Sequence, residues 1–147
     1  MKSRMHVLQV ALFLISGSAL AQEDVSLYDE RGSAVAYIAP DEGGRTIFLW
    51  GGKPVAYLEG DNPDIQVVYG FNGRPLGVFT AGLIVDKDGK TLCATSGQLE
   101  VRQPDPPKPA KAFTPVKAYP KFGPPYVTPS STWSGLGCAT WLSMGRE

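Results

Sequence analysis

Ile47-Phe48-Leu49-Trp50-Gly51-Gly52-Lys53-Pro54-Val55-Ala56-Tyr57-Leu58 is the stretch whose reading decides the fold. An apolar and aromatic run leads into a polar turn that closes on Gly52. A strand follows in which small and large apolar residues alternate. The same phrase stands at residues 27–38, 68–79 and 84–95. The marking glycines are Gly32, Gly52, Gly73 and Gly89, spaced by 20, 21 and 16 residues. Repetition at such a period means one small unit copied several times, each unable to bury its apolar face alone. Asn72 ahead of Gly73, and Asp86 and Asp88 ahead of Gly89, are Asx residues before a Gly that can take positive φ, and apolar runs flank every turn, so each unit reads as a β-hairpin.

Each strand after the glycine has an internal order. Alternate residues point to opposite faces. That places Val35 with Tyr37 and Val55 with Tyr57 on one face, and Ala36, Ala56, Gly77 and Cys93 at equivalent places on the other. Small side chains at equivalent positions let backbones approach, so four hairpins around a pseudo-fourfold axis, with the small residues near the centre, is the predicted array. Pro54 and Pro75 lack an N–H for a ladder and belong at strand starts or edges. Polar connectors are expected at residues 39–45, 59–65 and 80–82.

Four tandem hairpin phrases of the type Gly-x-Pro-Val-Ala-Tyr, with a Pro-rich tail behind them, resemble the 4-fold β-flower proteins, a mostly bacterial exported family. The resemblance covers roughly residues 25–97. It implies a compact all-β fold with four petals, and it brings no catalytic or ligand residues. The fourth copy departs from the pattern, with Thr91 where Pro54 and Pro75 stand and no aromatic where Tyr37 and Tyr57 stand.

The domain plan has three parts. Residues 1–21 read as a signal peptide: a basic start at Lys2 and Arg4, an apolar run from Val7 to Ile15, and an Ala19-Leu20-Ala21 cleavage site. That run is well short of the ~20 residues needed to span a bilayer, so no transmembrane segment is expected after cleavage. Residues 22–102 form the four-repeat domain and 103–147 a flexible tail. Cleavage removes His6, the chain's only histidine, and leaves 12 basic and 14 acidic side chains, a net of −2. The repeat domain carries −5 and the tail +3. With no basic patch on the repeats, a nucleic-acid partner is not expected.

Nine of the 13 prolines lie between Pro104 and Pro129, a composition that cannot form helix or central strand and is expected to be extended or disordered. Lys–aromatic–Pro phrases recur within it, at Lys111-Ala112-Phe113-Thr114-Pro115, Lys117-Ala118-Tyr119-Pro120 and Lys121-Phe122-Gly123-Pro124. The tail is either a solvated linker or an interaction arm for an anionic surface, a partner's groove, or the chain's own acidic domain. Residues 130–147 show no pattern.

Cys93 and Cys138 are the only thiols. A bridge between them would suit an oxidising compartment and stabilise by ~4 kcal/mol in the chain-entropy model. The competing reading leaves Cys93 as a small space-filling residue beside Ala36, Ala56 and Gly77. So small a domain needs aid of this kind, or oligomerisation.

A catalytic constellation is not predicted. Serine and cysteine nucleophiles lack a histidine base after cleavage. No metal cluster, cofactor or phosphate loop is predicted either. Asp86-Lys87-Asp88-Gly89 resembles a calcium loop, but Gly97 stands where the bidentate Glu belongs, so Asp86, like Asp29, reads as a turn-capping residue. Trp50 and Phe71 occupy turn shoulders where the other repeats carry Glu30 and Lys87, which suggests exposed rings. The favoured function is a non-enzymatic binding or structural module of the cell envelope, its partner a protein or polysaccharide met by the tail. The alternative is a sugar- or peptide-binding domain using Trp50 and Phe71.

Overall fold

A computed structural model describes residues 23–41, 43–123 and 127–146. The expected signal peptide lies outside the described residues. Eight antiparallel strands follow one another round a closed barrel: β1 (Val25–Tyr28), β2 (Ala34–Asp41), β3 (Gly44–Leu49), β4 (Pro54–Glu59), β5 (Ile65–Gly70), β6 (Pro75–Thr80), β7 (Leu83–Val85) and β8 (Thr91–Ala94). β4 and β6 begin at Pro54 and Pro75, where a missing ladder donor costs least. β2 and β3 run closer together than the sequence suggested and leave only residues 42 and 43 between them.

The fourfold repetition is visible in the register. Every glycine-turn hairpin carries one irregularity, after Leu27, Ile47, Val68 and Ile84. The extra residues are Val35, Val55, Leu76 and Leu92. A bulge puts two residues of one strand opposite one of its partner and bends the strand. This corrects the strict alternation expected from the sequence. Val55 and Leu92 join the inner core with Ala56 and Cys93, while Tyr37 and Tyr57 belong to separate outer clusters. Ala36, Ala56 and Cys93 are fully buried at their equivalent positions. A Cβ on Gly77, their fourth member, would strike the carbonyl oxygen of Val85 and the ring of Trp141.

Trp141 comes from a short helix, α1 (Cys138–Ser143), where the sequence showed no pattern. The helix drives Trp141 and Leu142 into the barrel core. A disulfide joins Cys138 to Cys93 on β8, with the Cα atoms 5.1 Å apart. The two strand ends that close the barrel share a single paired position, Tyr28 with Ala94, so the staple sits next to the least extensively paired seam.

Candidate functional site: a strap over four hairpin turns

The four turns are built alike. The Asp29 carboxylate accepts from the amides of Arg31 (2.9 Å) and Ser33 (3.0 Å), and Asp86 does the same for Asp88 and Lys90 (both 2.9 Å). Asn72 accepts from the Arg74 amide at 3.0 Å. These side chains therefore hold turns. Gly32, Gly52, Gly73 and Gly89 all have positive φ, between 78° and 93°, which a side chain would strain.

The tail expected to be free is laid across these glycines. The amide of Gln103 donates to the carbonyl of Gly32 (2.8 Å), Ala112 to Gly52 (2.8 Å), Lys121 to Gly73 (3.0 Å) and Ser130 to Gly89 (2.8 Å). Two residues before each donor, the carbonyl oxygens of Val101, Ala110, Tyr119 and Thr128 lie where a Cβ on the same glycine would stand. The tail thus docks at steps of nine residues, once per petal. Each glycine supplies both the turn and the gap that admits the strap. The disorder expected from composition gives way because main-chain groups of a Pro-rich chain find partners on four turns.

Between turns the strap dips over the junctions of neighbouring hairpins. At one junction Tyr37 stacks on Phe48 (centroids 5.4 Å apart) and meets Trp50 edge-on (5.8 Å). The Lys108 ammonium stands 4.4 Å from the Tyr37 centroid and 5.2 Å from that of Trp50. Lys108 and Lys111 also pair with Asp24 at 3.2 and 3.5 Å. At the next junction Tyr57, Tyr69 and Phe71 pack together. Lys117 covers Tyr57 at 4.5 Å and donates to the carbonyl of Gly43 (3.2 Å). At the third, Val127 joins Val78 and Val85. At the seam the Arg102 guanidinium donates to the Tyr28 hydroxyl (2.9 Å), which donates to Asp105 (2.6 Å).

Burial pushes the Tyr37 phenol above its ordinary value, with a smaller push from the Asp24 carboxylate. Tyr57 is raised by burial, then by Glu59 and Tyr69; Tyr69 is raised by burial, then by Glu59. The Tyr37 and Tyr57 hydroxyls and the Trp50 indole N–H are buried with no hydrogen-bond partner among the described residues.

The expected exposure of Trp50 and Phe71 is corrected by these contacts. Phe71 is 7% exposed against Tyr57, and Trp50 is partly buried beside Lys108. Lys108 of the strap lies on the Trp50 ring and the Phe71 ring packs on Tyr57, whereas Glu30 and Lys87 on the first and fourth turns stand in water. The most exposed of the large apolar side chains lie on the strap itself. Phe113 (101%), Val116 (94%), Tyr119 (92%) and Phe122 (102%) stand in full contact with solvent. They are spaced by three, the repeat at which side chains of a polyproline II chain share one edge. The sequence held that spacing, but the Lys–aromatic–Pro phrases drew the reading to a different register. No group of carboxylate, thiol and imidazole side chains suited to a metal occurs among the described residues. No helix among them is long and apolar enough to cross a membrane.

The sequence model of one family, the 4-fold beta flower protein, matches residues 25–142, a span that takes in the barrel, the strap and most of α1. No curated protein and no solved structure matches the chain.

Proposed function

This chain belongs to the 4-fold beta flower family, and from that premise we propose that it is an exported, non-enzymatic binding or structural module of the cell envelope. The barrel is the carrier and the strap span over the second and third petals is the working surface. One observation carries the reading: Phe113, Val116, Tyr119 and Phe122, three of them aromatic, are 92–102% exposed on a strap tied to the turns at Gly52 and Gly73. Large apolar side chains gathered on one exposed segment mark an interaction site. The buried disulfide supports an oxidising compartment. Sugar or peptide binding at Trp50 and Phe71 loses support, because Phe71 is buried against Tyr57 and Lys108 stands on the Trp50 ring.

A photo-crosslinking side chain placed at Phe113, and separately at Trp50, tests this reading in cells. The expected result is an envelope component attached at Phe113 and none at Trp50. Adducts at Trp50 alone would reverse the roles of strap and barrel.

A further inference from the structure

We infer that the exposed edge of the strap docks on an anionic lipid surface. The inference rests on the reading just given, and it names the partner by chemistry.

Three observations carry it. The first is shape. Phe113, Val116, Tyr119 and Phe122 fall at every third residue, so the edge they form is about 28 Å long at the rise of a polyproline II chain. Phe113 also lines a cavity with Asp41 and Lys117, and Phe122 one with Leu76, Asp86 and Trp141; the outward faces of the side chains stand apart from one another, suited to entering the headgroup boundary of a bilayer side by side. The second is charge. The strap from residue 106 to 123 carries four lysines and no carboxylate side chain; Lys108 and Lys111 share the Asp24 carboxylate and Lys117 stands on the Tyr57 ring, which leaves Lys121 beside the rings and the strap positive, while residues 22–102 carry a net −5. An anionic surface would attract the strap and repel the barrel behind it, which fixes the face presented. The third is support. Phe113, Val116 and Tyr119 lie between the ties of Ala112 to Gly52 and Lys121 to Gly73, and Phe122 follows the second tie directly, so little further ordering is needed when the rings are buried.

A partner protein with a proline-reading groove is the competing occupant. Such grooves recognise prolines three apart. In this span Pro115 and Pro120 are five apart; the pairs with the required spacing, Pro104 with Pro107 and Pro106 with Pro109, lie outside it.

The test is co-sedimentation of the chain from Gln22 onward with vesicles of phosphatidylcholine alone and of phosphatidylcholine containing phosphatidylglycerol. Binding is expected to the anionic vesicles and not to the neutral ones, and to weaken steeply with added salt. The double variant Phe113→Ser, Phe122→Ser should bind at least about tenfold more weakly. Lys121→Gln should lose about fivefold, one surface charge's worth. All three residues are exposed, and an unchanged near-ultraviolet circular dichroism spectrum verifies that the barrel is intact. Equal binding to both vesicle types, no binding to either, or undiminished binding by the double variant would overturn the inference. Should vesicles fail while a discrete protein or polysaccharide is captured at Phe113 in cells, the lipid inference falls and the strap remains the working surface. Failure at both would remove both readings.

Discussion

The amide of Ala112 donates to the carbonyl of Gly52 at 2.8 Å, and the carbonyl of Ala110 fills the space a Cβ on Gly52 would take. Strap and turn are therefore fitted to each other through main-chain atoms, and a glycine is the condition of the fit.

Gly52→Ala should accordingly damage two things together. The residue has φ of 93°, so alanine strains the turn, and its methyl group evicts the strap. A loss of more than about 1 kcal/mol is expected. The neighbouring Gly51 has open space where its Cβ would stand, so Gly51→Ala should be close to neutral. Thermal melts give the stability difference. Trypsin cleavage after Lys111, fast in Gly52→Ala and slow in Gly51→Ala, would locate the damage in the strap.

Reduction of Cys93–Cys138 removes a cross-link over 45 residues, worth about 4 kcal/mol in the chain-entropy model. The bridge also holds α1, so Trp141 and Leu142 should leave the core more readily once it is cut. Denaturant titration of the Cys93→Ser, Cys138→Ser double variant, followed by tryptophan emission, measures both effects. An unchanged midpoint would show that core contacts alone seat the helix.

Much of the barrel was legible because its signals are side chains of fixed type: glycine at a turn, Asp or Asn ahead of it, apolar residues at alternate places. The bulges were not, since Val55 and Tyr57 are two apart and look like one face until an extra residue rotates one of them. The strap's nine-residue period was hidden for a different reason. Its docking atoms are a carbonyl and an N–H, so Val101, Ala110, Tyr119 and Thr128 share no side-chain chemistry. α1 is six residues long with no side-chain cap, and it is held by a disulfide and by the barrel core. The rings of Trp50 and Phe71 were misplaced because Glu30 and Lys87, their counterparts, lie at turns where the strap leaves the shoulder uncovered.

Stability should fall in alkali. The Tyr37, Tyr57 and Tyr69 phenols titrate above their ordinary value in the folded chain, chiefly through burial. Above about pH 10 the unfolded chain releases these protons while the folded chain keeps them, so the folded state binds more protons and loses stability as pH rises. Below that pH the contribution is constant. Tyr37→Phe with Tyr57→Phe removes two buried hydroxyls that lack partners, so the double variant should match or exceed the parent in stability at neutral pH. It should also lose less between about pH 9 and pH 11. Melting temperature against pH, with tyrosinate absorbance recorded alongside, checks both parts, and a double variant as alkali-sensitive as the parent would contradict them.

Lys117 offers a way to weigh a strap contact that is not main chain. Its ammonium stands 4.5 Å from the Tyr57 ring and donates to the Gly43 carbonyl at 3.2 Å, so one side chain spans from the strap to the β2–β3 connector. The apolar stem adds contact of its own. Lys117→Met keeps most of the stem and deletes the charge, which isolates the cation–ring and hydrogen-bond contribution; a loss of about 0.5–2 kcal/mol is expected. Lys117→Arg should recover most of it, since a guanidinium also stacks on a ring. The Lys111–Asp24 pair is more exposed and should contribute at most about 1 kcal/mol, fading with salt. Melts of Lys117→Met and Lys111→Met at low and high salt separate the two. If Lys117→Met costs nothing at either, the ring beneath the strap is only covered by the lysine, and the main-chain bonds to the glycines hold the strap by themselves.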